Sequence, residues 1–320
     1  MRAIRKFSIA VGLMLLALAA PALAQSGRSL KIVNPFPAGG TADIWARILG
    51  EQIGRDRGLS VVIENRPGGG TVIATDAVSH AAPDGNTVLV VGNSFTINPN
   101  IRKLNYDPVT SFEPICYLLN SPQVIAVHSE SPYRTLAELI SAAKAKPGGL
   151  TLGVNGPATA QHLTGELFKR VAGVDMTYVP FTGGAPAVNA LLGQHVNSVI
   201  ANYSEVVEHL KAGKLRALAA TGKTRIEPLP ELPTIAESGY KDFDMSVWFG
   251  LVAPAKTPPE AVTQLAEWFT AAMQVPEIKP KLAMLTLYPV GACGAGFAAH
   301  IRKQLDENAR IVREANIKAE

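Results

Sequence analysis

Charged and aromatic residues are scarce in this chain. Of its 320 residues, 18% are Asp, Glu, Lys or Arg, and 6% are Phe, Trp or Tyr. The formal net charge is +4, but three basic residues and no acidic residue fall within the first 24 positions. Removing those three from 30 Lys and Arg leaves 27, against 26 Asp and Glu. Basic and acidic residues are therefore almost equal in number, which gives no electrostatic reason to expect nucleic acid or an anionic membrane as a partner.

Cysteine is rarer still. The two cysteines, Cys116 and Cys293, leave two interpretations open. In an oxidising compartment they could form one disulfide bridge. They could equally be two separate buried thiols, because a sequence does not show whether two Cα atoms lie within bonding range.

Motifs typical of catalysis, phosphate binding or metal binding are also missing. The chain has no G-x-S-x-G, H-E-x-x-H or C-x-x-C. The GKT at 222–224 lacks the first glycine of a phosphate-binding loop, and the G-x-G-x-x-A at 294–299 is followed by no βαβ unit. None of the six histidines has metal-ligand spacing, and His162 is more typical of a packed structural histidine than of a ligand contact. We therefore expect no cofactor and no metal.

Long apolar runs are confined to the N-terminus. Residues 9–20 are almost wholly apolar, follow a basic start at 2–6 and precede the small-x-small sequence at 22–24. This arrangement predicts a cleaved signal peptide at 1–24 and export of the mature protein. An uncleaved anchor is the alternative, but the run is short for a bilayer span. Gln25 excludes a lipoprotein cleavage site, which needs Cys.

Strand-like and helix-like segments alternate along the remaining chain, which predicts parallel sheets with helices on both faces. Without the first 24 of its 320 residues, the chain is long for one core and fits two lobes. The pattern restarts near residue 151, and the C-terminal helical segment most simply packs on the first lobe. We predict lobe 1 from 25–122 with 246–320, and lobe 2 from 123–245.

Several local predictions accompany this division. Residues 95–114 and 221–244 are rich in proline and are predicted to be irregular. The strands predicted at 123–128 and 247–252 enter and leave lobe 2 and form the hinge. Three helices are predicted after residue 254, at 259–273, briefly from 276, and at 296–315.

Two short segments echo each other in front of predicted helices. The first carries Phe36, Pro37, Ala38, Gly39, Gly40 and Thr41, and the second, after Phe181, carries Thr182, Gly183, Gly184 and Ala185. A strand, a Gly-Gly turn and a helix start leave backbone N–H groups unpaired and partly positive, which suits an anion. For the first segment, Thr41 and Asp43 could equally be an ordinary helix start.

Two further turns follow strands in the same way. Asn93 and Ser94 follow the strand at 88–91, and Asn155 and Thr159 follow the strand at 151–154. Parallel α/β sheets bind ligands just beyond the carboxyl ends of their strands, where all four turns lie. Their side chains are hydroxyls and amides, so an anion there would be held by backbone N–H groups and neutral donors.

At these segments the sequence resembles the tripartite tricarboxylate transporter substrate-binding proteins, or Bug proteins, of Gram-negative bacteria. The resemblance covers almost the whole mature chain in order. Its motifs are 33–40 (VNPFPAGG), 62–70 (VIENRPGGG), 84–87 (DGNT), His162-Leu163 with Glu166-Leu167, 179–181 (VPF) with Gly183-Gly184, 215–219 (LRALA) and 248–254 (WFGLVAP).

This resemblance implies an α/β fold of the type II periplasmic-binding-protein kind, with two lobes joined by two crossover strands that close on a ligand like a flytrap. It implies a periplasmic location and a small carboxylate ligand held by 36–41 and 182–185, with Asn155 and Thr159 between them. It also implies a partner, either a two-component membrane permease with small and large integral subunits or a sensor protein.

Three positions leave the choice of ligand open. Thr182 stands where many relatives have a basic residue. Tyr203 could narrow the pocket, stack on an aromatic acid or merely pack. Asp43 could receive an ammonium group or order a water molecule. We expect a monomeric, non-enzymatic receptor, and the alternative is a secreted α/β enzyme acting on a small organic acid, which would need a nucleophile and a base within reach.

Overall fold

We describe the protein from a computed structural model, in which residues 29–156 and 159–314 are described. The predicted signal peptide at 1–24 and the predicted last residue of the C-terminal helix, 315, lie outside these ranges. Ten strands are found in them: β1 (Ser29–Asn34), β2 (Ser60–Asn65), β3 (Thr87–Gly92), β4 (Phe112–His128), β5 (Thr151–Asn155), β6 (Thr177–Phe181), β7 (Ser198–Asn202), β8 (Leu215–Ala220), β9 (Ser246–Pro254) and β10 (Tyr288–Cys293).

The same ranges contain ten α-helices and two short 3₁₀ turns. The helices are α1 (Thr41–Arg57), α2 (Val72–Ser79), α3 (Asn93–Ile97), α4 (Leu136–Ala145), α5 (Ala160–Ala172), α6 (Gly184–Leu192), α7 (Tyr203–Lys211), α8 (Pro259–Gln274), α9 (Lys279–Met284) and α10 (Ala295–Glu314). The 3₁₀ turns are Gly69–Thr71 and Asn98–Asn100. No helix in the described part of the chain is long and apolar enough to cross a membrane.

Each lobe has a parallel core of three strands. In the first lobe β1 lies between β2 and β3, and in the second β5 lies between β6 and β7. Antiparallel strands complete both sheets, since β9 pairs with β3, and β8 pairs with β4. The predicted parallel arrangement is found in β1, β2 and β3 and in β5, β6 and β7, whereas β4, β8, β9 and β10 form antiparallel pairs.

Strand β4 is shared by both sheets. Its first part, from Phe112 to Pro122, pairs with β9, and its second part, from Gln123, pairs with β7 and β8. The chain returns beside this crossing, where Thr221 donates from Oγ1 to the Met245 carbonyl at 2.7 Å. The two chain crossings lie side by side, because Pro122 pairs with Ser246. The segments predicted to form the hinge do not pair with each other: 123–128 pairs with β7 and β8, and 247–252 pairs with β3 and the first part of β4.

Two stretches differ from their predictions. The strand expected at 123–128 is longer than predicted and begins at Phe112. Pro114 can lie within this strand because it sits at an irregularity in the pairing with β9, where a strand tolerates proline. Strand β10 was not predicted, since Pro289 and the left-handed Gly291 interrupt it and its residues are mostly exposed. It pairs with β4 across a bulge.

Apolar spacing explains how the helices pack. In α1, Trp45, Leu49 and Ile53 recur at four-residue intervals and are almost fully buried. The helix ends at Gly58, whose φ of 64° is the left-handed conformation that favours glycine at this position. The buried face of α1 packs against β1, β2 and β9, and this positions the first turn at the edge of the sheet.

Cys116 and Cys293 form a disulfide in the structure. They face each other in the antiparallel pairing of β4 with β10. The bond joins chain segments that lie before and after the predicted second lobe.

Candidate functional site

The two Gly-Gly turns meet face to face between the lobes. A Cβ atom placed on Gly183 would lie 2.6 Å from Cγ of Pro37, which is closer than nonbonded carbon atoms approach. Gly183 has a φ of 174°, an extended conformation that any residue can adopt. Glycine is needed here because Pro37 leaves no room for a Cβ atom, and not because of the backbone conformation. The first turn of one lobe therefore contacts the second turn of the other.

A cavity lies beside this contact, and both lobes line it. The cavity is narrow, about 30 Å³ in volume, and it is partly open to solvent. Ten residues predicted from the sequence line it: Phe36, Pro37, Gly40, Thr41, Asn93, Ser94, Asn155, Thr159, Gly183 and Gly184. An adjoining cavity shares Phe36, Asn155, Thr159 and Gly183, adds Thr182, and reaches the loop at 68–71.

Helix N-termini supply most of the polar groups at the cavity. α1, α5 and α6 begin directly after the carboxyl ends of strands, at Thr41, Ala160 and Gly184. Their first N–H groups lack partners within the helix and carry partial positive charge. In α5 the Thr159 side chain accepts a hydrogen bond from the His162 N–H at 3.2 Å, so Thr159 caps this helix.

Asn155 is the polar group most clearly available to a ligand. Its side chain lines both cavities and is only 8% exposed. Its Oδ1 atom is buried with no hydrogen-bond partner. A buried amide oxygen without a partner is costly, and a donor on a bound molecule would satisfy it.

Sequence analysis missed a polar network at the start of α7. Thr41 Oγ1 lies 2.7 Å from Ser204 Oγ and accepts from Asn202 Nδ2 at 2.8 Å. The Gln161 amide donates to Asn202 Oδ1 at 3.0 Å. Glu205 accepts from the backbone N–H of Thr41 at 3.3 Å, across the cleft. The signal was the sequence N-x-x-E at 202–205, which is typical of a helix N-terminus and not specific for a site.

Glu205 carries the only ionisable side chain among the described residues that line the cavity. Its Oε2 atom also accepts from the Asn202 N–H at 3.1 Å, which completes a capping box. Part of the residue is exposed, but the carboxylate is enclosed, since a Cβ on Gly184 would fall 2.1 Å from Oε2. Burial raises the pKa of Glu205, and the hydrogen bonds from Thr41 and Asn202 oppose that shift.

Asp43 closes the first turn instead of facing the cavity. Its two oxygens accept from Gly39 N at 2.9 Å and Asn65 Nδ2 at 2.9 Å, and Oδ1 pairs with Arg47 at 2.8 Å. Burial acts to raise the pKa of Asp43, but the bonds from Arg47, Gly39 and Asn65 outweigh it, so the net shift is downward. The expectation that Asp43 meets an ammonium group or a water is therefore corrected.

Four other predicted residues also lie away from both cavities. Ala38 and Gly39 are exposed on the outer side of the first turn, and Gly39 donates to Asp43. Ala185 lies one residue inside α6, beyond Gly184. Tyr203 is 3% exposed and packs in the apolar cluster of lobe 2, so it neither narrows the pocket nor stacks on a ligand. His162 lies near Glu166 and Tyr178, as expected of a structural histidine.

No group of three or more His, Cys, Asp or Glu residues in the described ranges could hold a metal ion. The cavity therefore offers backbone N–H groups, amides and hydroxyls together with one acidic side chain.

Comparison with known proteins gives consistent matches. The family model described as the tripartite tricarboxylate transporter family receptor matches residues 45–317. Protein BugT of Bordetella pertussis is 32% identical over 306 residues, which is 94% of each chain. The structure of periplasmic binding protein BugD superposes with a TM-score of 0.88 at 32% identity, covering 92% of this chain and 99% of that one. The structure of R. palustris Rpa4515 with adipate gives the same TM-score, identity and coverage.

The BugD structure matches 92% of this chain, and the two lobes joined by crossing strands are those of a type II periplasmic binding protein. The chain belongs to the tripartite tricarboxylate transporter family of receptors.

Proposed function

We propose that the protein is a periplasmic receptor that captures a small mono-, di- or tricarboxylate, or a related acid, between its lobes. The observation that carries this proposal is the cleft cavity, where helix N-termini from both lobes converge and no Lys, Arg or His is found among the described lining residues. Such a site holds an anion by backbone N–H groups and neutral donors. A ligand that touches both lobes stabilises their closed arrangement.

The finer features belong to the same proposal. The signal peptide at 1–24 directs the chain to the periplasm, and lobe 1 (25–122 with 246–320) and lobe 2 (123–245) are the two jaws. The receptor acts as a monomer. It delivers its ligand to a membrane permease of small and large integral subunits, or signals to a sensor protein.

Binding without chemistry is favoured over catalysis. Among the described lining residues the hydroxyls are those of Thr41, Ser94 and Thr159, and no His or Cys accompanies them. A Ser–His or Cys–His pair is therefore missing from this lining. A secreted enzyme acting on a small acid remains the competing function, and the ligand's fate distinguishes the two.

A thermal-shift screen tests the proposal. The panel contains mono-, di- and tricarboxylates, including adipate, with amino acids and aromatic acids. A ligand present at about 100 times its Kd stabilises by about 2.7 kcal/mol, which raises the Tm by several degrees. The stabilising acid should be recovered unchanged after prolonged incubation. Turnover of that acid would support the enzyme, and a panel without any stabiliser would overturn the carboxylate assignment.

A further inference from the structure

Glu205 places an anion where the proposed function needs a ligand's anion. Its Oε1 atom accepts from the Thr41 N–H at the N-terminus of α1, and its Oε2 atom lies against Gly184 at the N-terminus of α6. These are the helix ends, one from each lobe, that would hold a carboxylate. A ligand carboxylate in this cavity therefore lies close to a second carboxylate.

Backbone N–H groups of Thr41 and Asn202 donate to that second carboxylate, but no Lys, Arg or His side chain on the described α1, α5, α6, α7 and β7 pairs with it. On α1 the nearest ionisable groups are Asp43 and Arg47, which pair with each other at 2.8 Å. On α5, His162 lies 3.7 Å from Glu166. Strand β7 and helix α6 carry no ionisable side chain.

The rest of α7 does not supply a neutralising charge either. Lys211 pairs with Glu208 at 2.9 Å on the exposed side of the helix. His209 lies in the last turn of α7, at the opposite end from Glu205. Two like charges in one enclosed site cannot both remain ionised without a large penalty, so one of them takes up a proton.

We propose that Glu205 is a specificity-determining residue that makes carboxylate binding proton-coupled, with one proton taken from solvent and held between Glu205 and the ligand. This inference rests on the proposed function. The protonated Glu205 donates its O–H to the ligand carboxylate, and no covalent bond forms or breaks other than the O–H bond of the acid. In its protonated form Glu205 donates to a carboxylate of the ligand, whereas in its ionised form it would favour an amine in the same place.

The pH dependence has a definite sign. When Glu205 is ionised in the free protein and protonated in the complex, binding consumes a proton, so affinity falls by up to about tenfold for each unit of rising pH. Below the pKa of Glu205 in the free protein the dependence disappears, because the proton is already present. A ligand ammonium group facing an ionised Glu205 would give no proton uptake.

Calorimetry with adipate as the probe tests the inference. Wild type, Glu205→Gln and the control Glu208→Gln are titrated between about pH 6 and about pH 8, in buffers of different ionisation enthalpy. Wild type and Glu208→Gln should take up about one proton per adipate and bind more weakly as pH rises. Glu205→Gln, with a neutral amide of the same shape, should take up none and lose the pH dependence.

Equal proton uptake by wild type and Glu205→Gln would overturn the inference. The absence of proton uptake by wild type would also overturn it, and this second measurement does not depend on a variant that folds. If no acid of the panel binds, the proposed function fails separately. A carbon-13 NMR titration of the Glu205 carboxyl with and without adipate follows the proton directly. A Glu205 carboxyl that stays ionised in the adipate complex at about pH 6 would contradict the inference.

Discussion

At the scale of single residues, contact between the lobes depends on Gly183. We predict that Gly183→Ala weakens carboxylate binding about 5- to 150-fold, because its Cβ would lie 2.6 Å from Pro37 Cγ and overpacking typically costs about 1–3 kcal/mol. The clash arises only across the cleft, so each lobe should fold normally. Calorimetry with the stabilising acid measures the affinity, and the far-ultraviolet circular dichroism spectrum should match wild type.

The matched control is Gly222→Ala, since the nearest atom to its Cβ would be 4.0 Å away and it lines neither cavity. It should bind like wild type. Wild-type affinity in Gly183→Ala would show that the two turns do not need to touch when the ligand is bound.

Residues with an obvious local pattern were predicted well, and those defined by tertiary contact were not. The glycines of the first two strand-to-helix turns and Thr159 of a third could be located, because turn chemistry is local. The position of Glu205 in the site could not be predicted, because N-x-x-E is typical of any helix start. Its contact with Thr41 joins residues 164 positions apart. For Asp43 the sequence suggested a ligand contact, because a carboxylate follows the turn. In the structure this carboxylate is already bonded to Arg47 and Asn65, and the sequence does not show these contacts.

At the scale of elements, helix α10 packs directly on β9. A Cβ on Gly250 would lie 2.4 Å from Phe297 Cζ and 2.7 Å from the Cys116 carbonyl, so neither the helix nor β4 leaves room for a methyl group. We predict that Gly250→Ala lowers the free energy of unfolding by about 1–3 kcal/mol. Urea denaturation measures this difference.

Gly296→Ala, on α10 itself, is the comparison for that experiment. Its Cβ meets nothing closer than 3.8 Å, and alanine favours the helix, so stability should stay equal or rise slightly. An unchanged midpoint for Gly250→Ala would mean that α10 can move away from β9 at little cost.

Elements with regular periodicity were predicted near their true bounds, whereas irregular strands were not. The 3.6-residue pattern located α1 and α10, and continuous apolar runs located β1, β3 and β7. Strand β10 and the first part of β4 were missed because Pro289, Gly291 and Pro114 are usual signs of a loop. Their pairing comes from neighbours distant in sequence, which no local window contains.

At the scale of the whole molecule, the disulfide joins two chain segments that lie on either side of the predicted second lobe. Cys116 precedes the second lobe and Cys293 follows it, 177 positions later. Reduction lengthens the accessible unfolded chain, so we predict that Cys116→Ala/Cys293→Ala loses about 2–4 kcal/mol of stability. Urea denaturation with and without reductant measures the loss.

Comparison with the reduced wild type separates the covalent link from local packing. Cys116 is fully buried between β4 and its neighbours, so the alanine variant also loses apolar contact. Reductant should destabilise wild type and leave the variant unchanged, and the two should then differ only by the packing cost. An unchanged urea midpoint of wild type after reduction would contradict this prediction. The contacts of β4 with β9 and β10 would then be sufficient to hold the two segments together without the disulfide.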